Sequence, residues 1–513
     1  MATQHGTTDA PRRPAGSPDH DVVVVGAGLT GLGVAARLRD RLPRIDVAIL
    51  EARADLGGTW DLFRYPGVRS DSDAFTLSYP FRPWRNPNAV ADGAEILDYL
   101  CRTAADLDLE RLITYRTRVL AADWSSADQC WSLTVRRADG GEDVRTARFV
   151  VFGTGYYAYD HGHRPRFEGE EDFAGTVVHP QFWPADLDLD GKRVVIIGSG
   201  ATAVTIAPVL ADRTARTGGS VTMVQRSPSW VVPLGRRDPF ADRWRRRLPP
   251  ATAHRLIRTR NVGRLGQIWR LSRWRPQLAN RMVGAVIARQ LPADVVAAHF
   301  TPRYDVWDQR VCATVDGELF AAVREGRLAM RTDRVARWER DGVRLGSGEL
   351  VPADVIITAT GLAVQLLGGT SVRVDGREVT ASESLLHRAG LVAGVPNLVA
   401  VIGYVNASWT LRSDLLARHL CRLLRFMIRK GYRTVTAVPP SSVRRQPLMP
   451  LTAGYLLRAR DALPSTGDRG PWRVRQSYAV ESLTLGHGRL RTDLVFGRPS
   501  RPATTRRPVG AAR

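Results

Sequence analysis

The sequence predicts an α/β chain in which one strand–turn–helix unit is inserted within another and carries a helical insertion of its own. Three observations point there. Asp21 to Leu38 reads DVVVVGAGLTGLGVAARL and Lys192 to Leu210 reads KRVVIIGSGATAVTIAPVL, each an apolar run, a glycine turn and a small-residue stretch. Two further apolar strand ends, FVVFGTG at Phe149 to Gly155 and DVIITATG at Asp354 to Gly361, frame the second unit. Finally, 513 residues with 44% apolar and 24% charged side chains exceed one domain at about 150 residues each and can bury a core.

Taken in order, the first twenty residues are polar and rich in Pro and Gly, and read as a flexible arm. Arg12-Arg13 resembles an export signal, but Asp21 and the glycines interrupt the apolar run that follows. The first unit has the layout of a Rossmann-like dinucleotide-binding start. Gly26, Gly28 and Gly31 permit a tight turn and close approach of the backbone, while the helix N-terminus faces a pyrophosphate. A glycine turn also occurs without ligand, but here a second strand, VAILE, ends in Glu51, twenty residues past Gly31, where a ribose-binding carboxylate belongs. The second unit carries Gly198, Gly200 and Ala203, and its next strand, VTMVQRS, ends on Arg226 and Ser227 instead of an acid. A guanidinium pairs with a 2′-phosphate that a carboxylate would repel, so NADPH is favoured over NADH; the alternative is a solvated arginine at a strand end. The expected division is an arm over 1–20, a first domain over 21–160, a second over 161–354 with a helical insertion at 238–300, a return to the first over 355–498, and a basic tail over 499–513. NLVAVIGYVNASW reads as a last core strand and turn over the first cofactor, followed by a helix near Ser413 to Lys430.

Three stretches resemble the class B flavoprotein monooxygenases, and within them the Baeyer-Villiger monooxygenases. GGTWDLFRYPGVRSD matches the longer fingerprint of that family at Gly57, Gly58, Trp60, Tyr65, Pro66, Gly67 and Asp71. FAGTVVHPQFWP matches the shorter one at Phe173, Gly175, His179, Trp183 and Pro184. WDQRVC around Arg310 and NASW near Trp409 are similar to the actinobacterial branch that activates the thioamide ethionamide. The resemblance implies two Rossmann-like domains, one for FAD and one for NADPH, and oxygen transfer from O2 to a ketone, a sulfide or a thioamide. It places Gly58, Thr59 and Trp60 beside the flavin and Arg310 at the catalytic arginine position. An oxygen-bearing flavin that must stay deprotonated needs a fixed cation beside it, and arginine keeps its proton at any working pH. Asp71 is implied to orient that arginine; its other reading is a turn residue after Pro66-Gly67. Where many relatives carry a lysine before this arginine, Gln309 stands here, so the NADPH preference leans on Arg226. His179 precedes the second unit as a linker residue would, and is read as coupling domain movement, not as a base.

Rival classes are weighed on the same residues. A disulfide reductase also pairs two dinucleotide domains, but it needs a dithiol beside the flavin, and no cysteine precedes Cys101. Cys101, Cys130, Cys312 and Cys421 form no CxxC pair, and with the histidine spacing this predicts no metal and a cytoplasmic chain. The formal net charge of +23 could signal nucleic acid or an anionic membrane. Between Arg236 and Arg289, fifteen arginines stand against Asp238 and Asp242, with Trp244, Trp269 and Trp274 among them. Val262, Leu265, Ile268 and Trp269 recur at helical spacing. Two readings stay open: a helix lying in a membrane surface, or a lid over the substrate pocket. Nothing resembles a groove-reading module, so no nucleic-acid partner is predicted.

Overall fold

The computed structural model describes residues 18–499. Of the arm expected over 1–20, residues 1–17 lie outside that span, as does nearly all of the expected tail. His20, placed in the arm, already opens the first strand (His20–Val25). Four consecutive valines give that strand no polar side, which suits burial on both faces, and Val22 to Val25 are all buried. It pairs in parallel with Val47–Leu50 and with Glu142–Phe152, Val24 lying opposite Ile49 and Val151. Ile113–Thr114 and Leu398–Ala400 extend the parallel part. The long strand Glu142–Phe152 serves twice, because its first half pairs antiparallel with Cys130–Arg136, which in turn pairs with Arg118–Ser125. There the burial alternates, as expected of a sheet with one covered face.

The second sheet has five strands, all parallel, in the order Leu328–Thr332, Ser220–Gln225, Arg193–Ile197, Val355–Thr358 and Thr176–Val178. The boundary expected at 355 therefore moves past Val355–Thr358, which belongs to this second sheet. The chain recrosses at Leu362–Val364, paired antiparallel with the outgoing Tyr157–Gly162. His179 ties the two crossings: its Nδ1 accepts the Gln181 N–H at 3.2 Å, which leaves Nε2–H to donate to the Gly361 carbonyl at 3.2 Å.

The insertion forms four helices, Pro239–Arg245, Pro250–Trp274, Pro276–Ala288 and Ala293–His299. The first three begin on proline, whose missing N–H costs nothing at a helix start. The longest is bolted to the first unit. Arg258 donates through Nη1 to the carbonyls of Phe75, Thr76 and Ser78 at 2.8, 3.0 and 2.7 Å, covering the C-terminal end of the short helix Ala74–Leu77. Asn261 donates to Asp73 Oδ1 at 2.9 Å. The C-terminal helix runs Trp409–Lys430, four residues longer at its start than the sequence suggests. Arg37 donates through Nε to Asp414 Oδ1 at 2.7 Å, joining this helix to the first glycine helix, Leu29–Arg41.

Candidate active site and relatives

One cleft of about 1180 Å³ runs between the two sheets and is lined by both glycine turns. Each turn ends in a helix whose start has no side-chain cap, Leu29–Arg41 behind Gly28 and Ala201–Ala215 behind Gly200, so free backbone N–H groups point at the cleft. Gly58 has φ +58°, and a Cβ there would meet the Gly28 backbone at 3.1 Å, so two glycine segments face each other across the first turn. Thr59 and Trp60 follow on the same wall. Gly198 has φ +144°, and a side chain there would collide with the Ala359 carbonyl, whereas a Cβ at Gly200 would stand in open space.

Glu51 is buried on the cleft wall, where its Oε2 accepts the Ala27 N–H at 2.6 Å and its Oε1 the Arg53 N–H at 2.9 Å. Burial pushes its pKa up, against those two hydrogen bonds. A carboxylate has about four lone-pair sites, so two acceptances leave capacity for a ribose hydroxyl. Gly31 and Ala203, expected to bind cofactor, do not line the cleft. A Cβ on Gly31 would strike the Gly26 carbonyl, and Ala203 is fully buried, so both let a helix pack close against its strand turn.

Arg310 and Asp71, 239 residues apart, meet in a two-pronged pair: Nε donates to Oδ2 at 2.8 Å and Nη2 to Oδ1 at 3.0 Å. The Asp71 charge holds the Arg310 pKa well above its ordinary value, outweighing burial. Both side chains stay about one-third open, at 33% and 28%, and both line the cleft. Trp307, three residues before Arg310, adopts φ +72°, an uncommon backbone for an aromatic residue. Arg273, donating to the Val306 carbonyl at 2.9 Å, and Trp269, edge-on to Trp307 at 5.6 Å, hold that turn.

Two groups escape sequence reasoning. Tyr156, Tyr157 and Tyr455 also line the cleft, and the Arg310 charge bears on all three phenols. Tyr156 and Tyr157 share a hydrogen bond at 2.8 Å, and Tyr156 stacks on Trp409 at 5.0 Å. Burial raises all three phenol pKa values, so each keeps its proton. The second group is Arg458, an exposed cleft residue whose pKa is lowered by burial and then by the nearby Arg226. Arg226 and Ser227 are exposed at the end of Ser220–Gln225, and neither Arg226 nor Arg458 has a carboxylate partner among the described residues. A GYY after a strand or an arginine on a short helix carries no periodic signal that could have revealed either group.

A flavin-binding monooxygenase-like family matches residues 19–240. The chain is 44% identical over 493 residues to the FAD-containing monooxygenase EthA of Mycobacterium tuberculosis, covering 96% of this chain and 99% of that one. The chain belongs to the flavin-binding monooxygenases. This flavin monooxygenase is also 40% identical, over 92% of its own length and 94% of the other's, to a probable FAD-binding monooxygenase, AlmA, of Acinetobacter baylyi. Its fold matches an oxidized steroid monooxygenase solved with NADP at a TM-score of 0.71 and 20% identity, covering 94% and 100% of the two chains. It matches OTEMO, solved with FAD and NADP, at 0.66 and 23% identity, covering 82% and 88%. The architecture is thus shared with proteins solved with NADP, and in one case with FAD as well, in keeping with the paired glycine units.

Proposed function

We propose that this enzyme is an FAD- and NADPH-dependent monooxygenase of Baeyer-Villiger type, which places one oxygen atom of O2 next to the carbonyl of a ketone. The observation that carries the reading is the Arg310–Asp71 pair, set in the cleft onto which both glycine turns open. Gly26, Gly28, Glu51, Gly58, Thr59 and Trp60 are the residues that would hold FAD, and Gly198, Gly200, Arg226 and Ser227, joined by Arg458, those that would hold NADPH. The uncapped helix starts, the open space beyond Gly200 and the unpaired Arg226 suit a pyrophosphate on each turn and a 2′-phosphate on the second. When bound, the nicotinamide supplies hydride and the flavin supplies the reaction with dioxygen.

The side chains do the rest. Asp71 takes two of the five guanidinium donors, fixing the plane of Arg310 while its remaining N–H groups face the cleft. A positive group held in place stabilises negative charge where it develops, first on the attacking oxygen and then on the former carbonyl oxygen. Tyr156, Tyr157 and Tyr455, all protonated, add neutral donors beside it and narrow the space for substrate. Those phenols favour a second reading for the same site: oxidation at sulfur, in a sulfide or thioamide, needs a reacting oxygen that keeps its proton, and a phenol oxygen can accept a hydrogen bond from it.

The test is direct. The purified protein should be yellow and should oxidise NADPH in air faster when a ketone or sulfide is added, with a product one oxygen atom heavier. A colourless protein, or no product from any ketone or sulfide in a panel of aliphatic and aryl compounds, overturns the reading.

A further inference from the structure

The arginine-rich insertion takes no part in the cleft: no lining residue falls between 230 and 308 among the described residues. The expected lid over the substrate pocket is therefore not what this segment forms. Its fifteen arginines divide in two. Arg236, Arg237, Arg260 and Arg273 pair with Asp92, Asp242, Asp238 and Asp308, and Arg245 and Arg258 donate to backbone carbonyls. The other nine, Arg264, Arg270, Arg275, Arg281 and Arg289 among them, are exposed and have no carboxylate partner among the described residues.

Apolar side chains are exposed among these free cations. Pro250–Trp274 and Pro276–Ala288 form a hairpin broken at Arg275. On the second helix Leu278, Met282 and Ala285 recur at three- and four-residue spacing, flanked by Arg281 and Arg289, and all are exposed. On the first, Trp274 closes an exposed ridge that includes Gln267 and Arg270, with Ile268 beside it. Trp274 is 72% exposed and Met282 53%, values that core side chains never show, and the Arg275 guanidinium lies over the Trp274 ring at 4.7 Å.

We propose that this hairpin docks the enzyme on an anionic lipid surface, with Trp274, Leu278 and Met282 entering the headgroup region and Arg270, Arg275 and Arg281 meeting lipid phosphates. Charge and shape select this occupant. A surplus of thirteen positive charges over residues 236–289 repels a second copy of the same face. Nucleic acid, for its part, would leave the apolar ridge with nothing to bury it. No helix among the described residues is long and apolar enough to cross a membrane, so the contact is peripheral. The hairpin is coupled to the cleft, because Trp269 packs on Trp307 and Arg273 pairs with Asp308, three and two residues before Arg310.

The test is sedimentation with vesicles of equimolar phosphatidylglycerol and phosphatidylcholine, against phosphatidylcholine alone, at low salt. The full chain should sediment with the anionic vesicles only. Each cation near such a surface is worth about fivefold in partitioning, so Arg275→Gln with Arg281→Gln should weaken binding about 25-fold. Trp274→Ser with Met282→Ser should weaken it about tenfold by removing buried apolar area. Both variants should keep the wild-type melting temperature, since the changed side chains are exposed. The proposal is overturned if the wild type stays in the supernatant with anionic vesicles, or if both variants sediment as the wild type does. It is equally overturned if velocity sedimentation without lipid shows a dimer that the Trp274/Met282 variant dissociates, or if duplex DNA is retained by the arginines and is indifferent to that variant. None of these readouts depends on the oxygenase reading.

Discussion

Replacing Asp71 with asparagine isolates the charge that holds Arg310. The shape is nearly unchanged, but the amide presents one acceptor and one donor where the carboxylate presented two acceptors. One of the two hydrogen bonds, at 2.8 and 3.0 Å, is lost and an N–H is turned toward an N–H. A hydrogen bond to a charged group contributes about 1.5–3 kcal/mol, and the pair is one-third open to solvent, so screening keeps the loss toward the lower end. Carried into the transition state, that range predicts a fall in kcat/KM of about 10- to 150-fold. The arginine stays charged with or without Asp71, so the pH profile should keep its shape. The assay is ketone-dependent product formation beside hydrogen peroxide release, with the NADPH-driven bleaching of the flavin as control. Bleaching should stay near normal while product falls and peroxide rises. An Asp71→Asn enzyme within twofold of wild type in product formation would show that the pair is a turn contact and refute the reasoning.

Other expectations follow from the same geometry. Arg226→Ala with Arg458→Ala removes two cations that lack carboxylate partners; KM for NADPH should rise at least tenfold with little change for NADH, each charged contact being worth about 1.5–3 kcal/mol, and an unchanged preference between the two would show that neither arginine meets the 2′-phosphate. Tyr157→Phe deletes one phenol from the donor cluster and should slow sulfide oxidation about three- to tenfold, the value of one neutral hydrogen bond, while leaving ketone oxidation less affected; equal effects on both would count against separate roles. Stability should fall with acid. His254, His387 and His419 are buried and held neutral, their pKa values pushed down to about 4, 3 and 4 mainly by burial. Because the unfolded chain takes up protons near pH 6.5 and the folded one does not, the stability from these groups is complete above that pH. It is lost as pH falls toward 4, by at most about 2 kcal/mol per histidine at pH 5. Melting curves at pH 7 and 5 check this, and His419→Gln should flatten the difference; a melting temperature equal at both pH values would contradict it.

How much of this was legible in the sequence depends on how local each signal is. The glycine turns are local, since strand, turn and helix follow within twenty residues, and both fold as read. Arg310 and Asp71 are not: nothing in spacing joins residues 239 apart, and only the resemblance suggests they meet. The boundary expected at 355 shifts because VIIT, apolar on both faces, fits a central strand of either sheet, and the choice is made by register against Arg193–Ile197. Helical periodicity in the insertion tells that an apolar face exists but not what covers it; the cleft lining, which takes no described residue from 230–308, speaks against the lid alone. Arg458 and Tyr455 sit on the short helix Gly454–Arg458, and only the folded chain carries it to Arg226 and Arg310.

The central claim is that a positive charge fixed at Arg310 stabilises the negative charge that develops as oxygen is transferred to the substrate, and Arg310→Ala measures it most directly. Removing one preorganised donor costs about 2.7–4 kcal/mol of barrier, a factor of about 10² to 10³ in rate. The account predicts a yellow protein whose flavin is still bleached by NADPH, whose product formation falls by that factor, and whose oxygen uptake ends in hydrogen peroxide. Product formed by Arg310→Ala at close to the wild-type rate would contradict it.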